Sequence, residues 1–149
     1  GYHQKYLDEK IDYGFSDQTY GELFLNEKML QDGLVYPQME GPFVFKLAVQ
    51  KFPEVIQEAL DKTGLTTEDI DMLVPHQANL RISQFVQKKL RLKDNQVWNN
   101  IQKYGNTTAA SIPIALSEAV QAGAIQKGNL VCLAAFGSGF TWGSALIRW

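Results

Sequence analysis

The feature that most restricts the fold of this chain is the alternation of short apolar runs with longer segments of helical periodicity. Ile70 to Val74 and Asn129 to Phe136 have the length and composition of buried strands. Apolar residues recur at helical spacing from Phe45 to Leu60, from Ile82 to Leu90 and from Ile112 to Val120, which predicts three amphipathic helices. Strands that alternate with helices favour an α/β layered fold with a largely buried sheet.

Glycine, proline and threonine residues set the predicted boundaries of these elements. Gly64 is expected to cap the first helix, and Pro53 inside that helix predicts a kink or a restart. We expect a strand over Gln96 to Ile101 and a helix cap at Thr107 or Thr108. Two further strand regions are predicted, over residues 11 to 25 and over about Thr141 to Trp149.

The composition argues against several classes of function. With 149 residues and 45% hydrophobic content, the chain can bury one core, and we predict one unit over residues 1 to 149. A formal charge of -2 disfavours nucleic-acid binding, and no apolar run approaches the roughly 20 residues that cross a bilayer. One cysteine and two histidines are too few for common metal centres, so we expect no metal and a reducing, cytoplasmic setting. The chain lacks an initiator methionine, which favours a fragment of something longer.

Three turns that follow apolar runs carry groups suited to chemistry, and they contain His76, Asn106 and Ser138. Ligands gather at the carboxyl ends of strands in open α/β sheets, so these turns are candidates for one shared site. A neutral histidine and an asparagine amide each offer an N-H donor, and two donors aimed at one oxygen form an oxyanion or enolate hole. Gly137 and Gly139 flank Ser138, which would let its turn expose a backbone N-H for a second such hole.

Each turn also has a purely structural interpretation. A histidine at a strand-helix junction is commonly a cap or a packing residue, Gly105-Asn106 is an ordinary turn dipeptide, and Gly137 to Gly139 make a bend between strands. Cys132, within an apolar run, is typical of a small buried hydrophobe. A basic cluster indicates either a solvated helix face or a surface for an acidic partner, and it consists of Arg81, Lys88, Lys89, Arg91 and Lys93.

Three motifs together resemble the C-terminal half of ketoacyl-acyl carrier protein synthase III, a member of the thiolase-like superfamily. They are LVPHQANLRI from Leu73 to Ile82, YGNTTAA from Tyr104 to Ala110, and AFGSGFTWGSALI from Ala135 to Ile147, in the family's order and spacing. The resemblance covers about Tyr20 to Trp149, with weaker matches at residues 20–23, 39–41 and 44–46. It implies an α/β, thiolase-like fold in which residues 1 to 149 form one of two similar halves that pack together.

The resemblance implies a decarboxylative Claisen condensation. In this family a cysteine takes an acyl group from an acyl-coenzyme A, and malonyl on the acyl carrier protein then loses carbon dioxide and attacks it. By motif position, His76 and Asn106 are the donors that stabilise the enolate, and the backbone N-H of Ser138 pairs with that of the cysteine at the acyl oxyanion. The nucleophilic cysteine belongs to the N-terminal half, and Cys132 does not occupy its position. This segment alone is therefore expected to be inactive.

The resemblance also implies binding positions and partners. We expect acyl-coenzyme A and malonyl-acyl carrier protein as substrates, the N-terminal half and a second copy as protein partners, and no cofactor, nucleic acid or membrane. Ser138 stands where many relatives have glycine. Pro42 stands where relatives often have a polar residue, so one hydrogen bond to the ligand would be lost. The substrate-binding positions are Gly41, Phe45, Ala78, Asn79, Ile82 and Phe136, and the carrier-docking positions are Lys46, Arg81, Lys88 and Lys89.

Three other interpretations fit the same residues. Hydroxymethylglutaryl-coenzyme A synthases, long-chain or quinolone-forming condensing enzymes and type III polyketide synthases share the cysteine, histidine and asparagine set, whereas elongating synthases carry a second histidine. Cys132, His76 and Asn106 are formally the set of a papain-like hydrolase. A non-catalytic half that holds coenzyme A or the carrier protein for a partner chain is the third.

Overall fold

The computed structural model describes residues 27–33, 36 and 39–149. The chain divides into two compact units, Gly1–Gly41 and Pro42–Trp149. In the first unit the described residues include one short helix, α1 (Glu27–Gln31). The strands predicted over residues 11 to 25 lie outside the described residues. The prediction that residues 1 to 149 form one half-domain stays a prediction, because most residues of the first unit are not among the described residues.

The remaining elements alternate between helix and strand, as predicted. Residues Thr67–Asp69, Asp94–Gln96 and Thr108–Ala110 form single 3-10 turns. The helices are α2 (Gly41–Thr63), α3 (Leu80–Leu90), α4 (Ile101–Tyr104) and α5 (Ser111–Gln121), and the strands are β1 (Met72–Pro75), β2 (Leu130–Gly137) and β3 (Thr141–Arg148).

A mixed sheet of three strands organises the second unit. β2 pairs in parallel with β1 and antiparallel with β3. Every residue of β1 is buried, and β2 is buried along most of its length, which agrees with their apolar sequences. β3 is mostly exposed and forms one edge of the described sheet.

Helices cover both faces of this sheet. α2 and α3 pack on one face and α5 packs on the other. The strand pleat separates the two cores: Leu73 and Cys132 contact the first pair of helices, whereas Val74 and Val131 contact α5. The predicted layered α/β architecture is therefore confirmed.

The helix α2 is longer and less interrupted than the sequence predicts. It begins at Gly41 rather than near Phe45 and continues through Pro53, so the restart, one of the two alternatives predicted there, does not occur. Proline removes one backbone donor, but Phe52 and Ile56 are buried in the same core on either side of it, which favours one continuous helix. Gly64 ends the helix as predicted, with a φ of 70°.

The strand predicted over Gln96 to Ile101 is wrong. Only one parallel bridge forms there, between Val97 and Leu73. The backbone N-H groups that follow, of Asn100 and Ile101, donate instead to the Gln77 side chain, and α4 begins at once. A side chain acceptor thus takes over the donors that a longer strand would have paired with β1.

Candidate active site

His76 lies where β1 ends and the turn into α3 begins, as predicted. Its backbone N-H donates to the Ala134 carbonyl oxygen at 2.8 Å, which continues the pairing with β2 one residue beyond the strand. Asn79 then caps α3, because its Oδ1 accepts the backbone N-H of Arg81 at 2.9 Å. The turn that carries His76 is therefore fixed at one end by its pairing with β2 and at the other by the cap of α3.

The His76 ring is half-buried and contacts the first turn of α5. Its Nδ1 lies 2.5 Å from the Ser111 hydroxyl oxygen. Burial lowers the pKa of His76 from its ordinary value, so the imidazole is neutral at pH 7. A neutral imidazole keeps one N-H donor and one acceptor, which suits hydrogen bonding to a developing oxyanion.

The side chain of Gln77, which the sequence analysis did not identify as important, stabilises the turn between β1 and α3. Its side chain is only 3% exposed. The Nε2 donates to the carbonyl oxygens of Pro75 at 2.7 Å and Trp98 at 3.3 Å. The Oε1 accepts the N-H groups of Asn100 at 3.0 Å and Ile101 at 3.2 Å. One buried amide therefore joins the end of β1 to the start of α4.

Asn106 is exposed and is held by its own neighbours. Its Oδ1 accepts the backbone N-H of Thr108 at 2.9 Å. Gly105, before it, has φ 69° and ψ -160°, a region that is essentially restricted to glycine. Thr108 has a φ of 51°, which is rare for a β-branched residue. The predicted helix cap is therefore replaced by a strained 3-10 turn that starts after Thr107, and α5 begins only at Ser111.

Glu118, on α5, anchors the helix that precedes Asn106. Its carboxylate accepts hydrogen bonds from Asn100 at 2.7 Å, Lys103 at 2.7 Å and Tyr104 at 2.6 Å. These donors, Lys103 first, lower the pKa of Glu118 to about 2. The contact fixes α4, and with it the start of the Asn106 turn, against α5.

Ser138 lies in the exposed turn that joins β2 to β3. Because β1 and β2 are parallel, this turn follows the same edge of the sheet as His76. Gly139 and Phe140 both have positive φ, at 76° and 53°. Phe136 is buried before the turn, and its ring stacks on Trp142 with centroids 6.2 Å apart. Gly137 belongs to β2, so the strand ends one residue later than predicted.

The other predicted binding residues lie on α2, α3 and the turn between β1 and α3. The Arg81 guanidinium lies 5.4 Å from the centre of the Phe45 ring, which places the starts of α2 and α3 side by side. Ile82 is buried in the core between them, and Gly41 is the first residue of α2. Ala78 is half-buried, and Lys46, Lys88 and Lys89 are exposed. The ligand-binding roles of these residues stay predictions.

Cys132 does not join the site. It is 0% exposed in the middle of β2, and burial raises the pKa of its thiol to about 12. The His76 ring contacts Ser111 instead. A thiol with so high a pKa is almost wholly protonated at pH 7, so this geometry gives no support to a papain-like hydrolase.

A groove of about 460 Å³ lies between α4 and α5, and it is lined by Trp98, Lys103 and Glu118 among others. Neither His76 nor Asn106 lines it.

Among the described residues, no three histidine, cysteine, aspartate or glutamate side chains are grouped to hold a metal ion. No helix in the same part of the chain has the length and apolarity to cross a membrane.

Comparison with known proteins identifies the family. Residues 60–149 match the family described as 3-oxoacyl-[acyl-carrier-protein (ACP)] synthase III C terminal. The chain is 46% identical over 136 residues to the beta-ketoacyl-[acyl-carrier-protein] synthase III of Campylobacter jejuni, covering 89% of this chain and 42% of that protein. The enzyme of the same name from Aquifex aeolicus is 45% identical over 132 residues, and the chain spans 43% of its length.

Solved structures show the same relationship. The crystal structure of 3-oxoacyl-[acyl-carrier-protein] synthase III from Aquifex aeolicus superposes with a TM-score of 0.77 at 46% identity, over 79% of this chain and 38% of that one. The priming beta-ketosynthase of the R1128 polyketide pathway gives 0.69 at 32% identity, over 81% and 38%. These matches confirm the predicted thiolase-like α/β fold. The chain belongs to the family of the C-terminal half of 3-oxoacyl-[acyl-carrier-protein] synthase III.

Proposed function

We propose that this chain supplies the decarboxylation machinery of a beta-ketoacyl-[acyl-carrier-protein] synthase III. The observation that carries the proposal is the His76 ring, which is half-buried and fixed at a strand end against the helix that follows the Asn106 turn, and burial lowers its pKa. Two uncharged N-H donors, from His76 and Asn106, would suit a thioester oxygen that becomes negative during reaction. The 46% identity to the Campylobacter jejuni synthase III supports the same reaction class.

In the proposed reaction, the bond between the malonyl methylene carbon and its carboxylate breaks and carbon dioxide leaves. The electron pair moves into the thioester, whose oxygen becomes an enolate held by His76 and Asn106. The enolate carbon then attacks the acyl group on a cysteine, forming the new carbon-carbon bond, and the cysteine thiolate leaves. The backbone N-H of Ser138 would help to hold the acyl oxygen during that attack.

The acyl-transfer step requires a second half that carries the cysteine. The chain spans 42% of the length of the Campylobacter jejuni enzyme, and Cys132 is buried in β2 with a raised pKa. We propose that the complete protein takes its acyl group from acyl-coenzyme A, forms a homodimer, works in the cytoplasm and needs no cofactor besides its substrates.

A basic surface on α3 is the proposed docking site for the carrier protein. Arg81, Lys88 and Lys89 are exposed on this helix, and Lys46 is exposed on α2, whose Phe45 contacts Arg81. Such a surface would attract an acidic carrier protein electrostatically. The entrance for its pantetheine arm would be lined by Gly41, Phe45, Ala78, Asn79 and Ile82, with Phe136 walling the reacting centre.

The reaction class is tested by incubating the complete protein that carries this chain with acetyl-coenzyme A and malonyl-acyl carrier protein. Mass spectrometry should detect a ketoacyl-carrier protein, and carbon dioxide should be released in equal amount. If carbon dioxide is released but the ketoacyl product forms only with another acyl-coenzyme A, the primer assignment is wrong. If neither forms with any primer, the non-catalytic binding half becomes the better interpretation.

The docking surface is tested by reversing its charge. In the Lys88→Glu, Lys89→Glu variant, KM for malonyl-acyl carrier protein should rise about tenfold or more, since like charges replace attraction. Activity on malonyl-coenzyme A, which lacks the carrier protein, should be unchanged. The matched control is the double variant Lys62→Glu, Lys127→Glu, which reverses two exposed lysines outside α3. Equal effects of the two variants would refute docking at α3.

Polyketide-priming synthases are the second candidate, because the R1128 enzyme shares 32% identity and the same fold. We propose that polyketide-priming synthases differ from synthase III in the acyl primer that they accept, and not in His76 or Asn106. A panel of acyl-coenzyme A primers with one malonyl-carrier protein would separate the two.

A further inference from the structure

Ser111 contacts His76, one of the proposed catalytic residues, but is not itself one of them. It is the first residue of α5 and is only 2% exposed. Its hydroxyl oxygen lies 2.5 Å from His76 Nδ1 and 3.3 Å from the backbone nitrogen of Gln77. Among the residues that the structure describes, these are the two hydrogen-bond partners of the hydroxyl.

The two contacts together determine where the imidazole proton lies. The Gln77 N-H can only donate, so the Ser111 oxygen accepts there. The hydroxyl proton is buried and needs an acceptor, and His76 Nδ1 is the atom in reach. An Nδ1 that accepts carries no proton, so the neutral ring bears its proton on Nε2.

The same short segment orients the other proposed donor. The Thr108 backbone N-H donates to Asn106 Oδ1 at 2.9 Å, and since the amide nitrogen cannot accept a hydrogen bond, the amide oxygen is the atom that faces Thr108. The amide nitrogen then points away from the turn and remains able to donate. Thr108 and Ser111 open and close the stretch of chain that forms the 3-10 turn and the start of α5.

We propose that the segment Thr108–Ser111 is a positioning element that sets the polarity of both donors. The Ser111 hydroxyl holds His76 as the Nε2-H tautomer, and the Thr108 N-H turns the Asn106 amide nitrogen outward. Neither residue touches the reacting atoms. The catalytic consequence rests on the proposed function, whereas the tautomer of His76 does not.

The direct test is the tautomer itself, measured on the complete protein labelled with ¹⁵N-histidine. Two-bond ¹⁵N-¹H correlation spectra distinguish a protonated Nδ1 from a protonated Nε2, and the spectrum of His76→Asn identifies the resonances. The expected result is Nε2-H in the unchanged protein and a mixture of tautomers in Ser111→Ala. A protonated Nδ1 in the unchanged protein overturns the proposal, as does an unaltered tautomer in Ser111→Ala.

Kinetics provide the second readout. In Ser111→Ala, kcat for malonyl decarboxylation should fall about tenfold with KM unchanged, which is less than the roughly 100-fold loss on removing an oxyanion donor. Ser111→Thr keeps the hydroxyl and should restore both the tautomer and kcat. The matched control is Ser83→Ala, which removes another buried hydroxyl, bonded to Asn99 at 2.6 Å, and should leave the tautomer and kcat unchanged. A fall in kcat of the same size in Ser83→Ala contradicts a specific role.

The two proposals fail in different ways. If the unchanged protein has the Nε2-H tautomer but never decarboxylates malonyl-acyl carrier protein, the proposed function is wrong and the role of Ser111 in fixing the ring stands. If the protein is active but Nδ1 carries the proton, the proposed function stands and the role of Ser111 is wrong.

Discussion

The two proposed donors are held in opposite ways. His76 is half-buried, and although its carbonyl oxygen accepts the backbone N-H of the nearby Ala78, its other two hydrogen-bond partners, Ala134 and Ser111, are distant in sequence. Asn106 is exposed, and its orientation depends on the adjacent Gly105 and the nearby Thr108. The first donor therefore depends on the packing of the whole unit, and the second on the local backbone of one turn.

This difference has an energetic consequence. Changes near His76 disturb buried polar groups and the core around them, so they should reduce both stability and activity. Changes near Asn106 act on an exposed turn, so they should affect geometry more than stability.

Removal of either donor is expected to have the largest effect. His76→Ala and Asn106→Ala should each slow malonyl decarboxylation by the complete protein about 100- to 1000-fold, because each removes one hydrogen bond from the enolate. The rate of carbon dioxide release measures it. Asn129→Ala is the control, since Asn129 also accepts a backbone N-H in a turn, from Gln126 at 2.6 Å. A loss of only a few-fold in Asn106→Ala would remove Asn106 from the catalytic pair.

Gln77→Leu should destabilise the protein more than any change at the Asn106 turn. The substitution leaves the N-H groups of the buried Asn100 and the half-buried Ile101 without their acceptor, at a cost of about 3 kcal/mol in unfolding free energy. Urea denaturation measures the difference. Gln121→Leu, at an exposed position of α5, should change stability by less than about 0.5 kcal/mol. Similar losses in both variants would contradict the proposal that the buried Gln77 amide holds the end of β1 to the start of α4.

Gly105→Ala tests whether the local backbone of the turn determines the position of Asn106. No atom lies within 4 Å of the added methyl group, so the cost comes from the backbone angles and should be about 1 to 2 kcal/mol. The turn should relax and lower the decarboxylation rate at the same time. Gly143→Ala, where a methyl group also meets no atom within 4 Å and φ is not positive, is the matched control. No effect in Gly105→Ala would show that the turn tolerates other angles.

The smallest expected effect is the pH dependence of the Glu118 anchor. Because the pKa of Glu118 is lowered in the folded protein, its ionised form stabilises the fold above its ordinary pKa of 4.5. That stabilisation is lost as the pH falls from 4.5 towards about 2. The stability difference between the unchanged protein and Glu118→Gln should therefore be constant near neutral pH and close in acid, as urea titrations at several pH values would measure. A difference that widens in acid would have the wrong sign.

Much of the site could be predicted from local pattern. An apolar run that ends at Pro75 places His76 at a strand end, and Gly105-Asn106 marks a turn before a helix. The faces of α3 and α5 follow from helical spacing. These features depend on residues close together in the chain, so the sequence contains their signal directly.

The errors arose where distant groups compete for the backbone. The predicted strand over Gln96 to Ile101 gave way because Gln77, far back in the chain, accepts its N-H groups. The restart predicted at Pro53 does not occur because α2 buries its apolar face along its whole length. Neither effect has a signature in the segment that it changes.

The sequence by itself determined the alternation of strands and helices, the family, and the two turns that carry His76 and Asn106. Only the tertiary structure decided that Gln77, Ser111 and Glu118 hold those turns in place. The physical reason is that a buried polar side chain must find a hydrogen-bond partner, and folding rather than sequence spacing selects which one. Ser111 illustrates this best, because an ordinary helix-starting serine becomes the partner of a histidine only when α5 packs beside the end of β1.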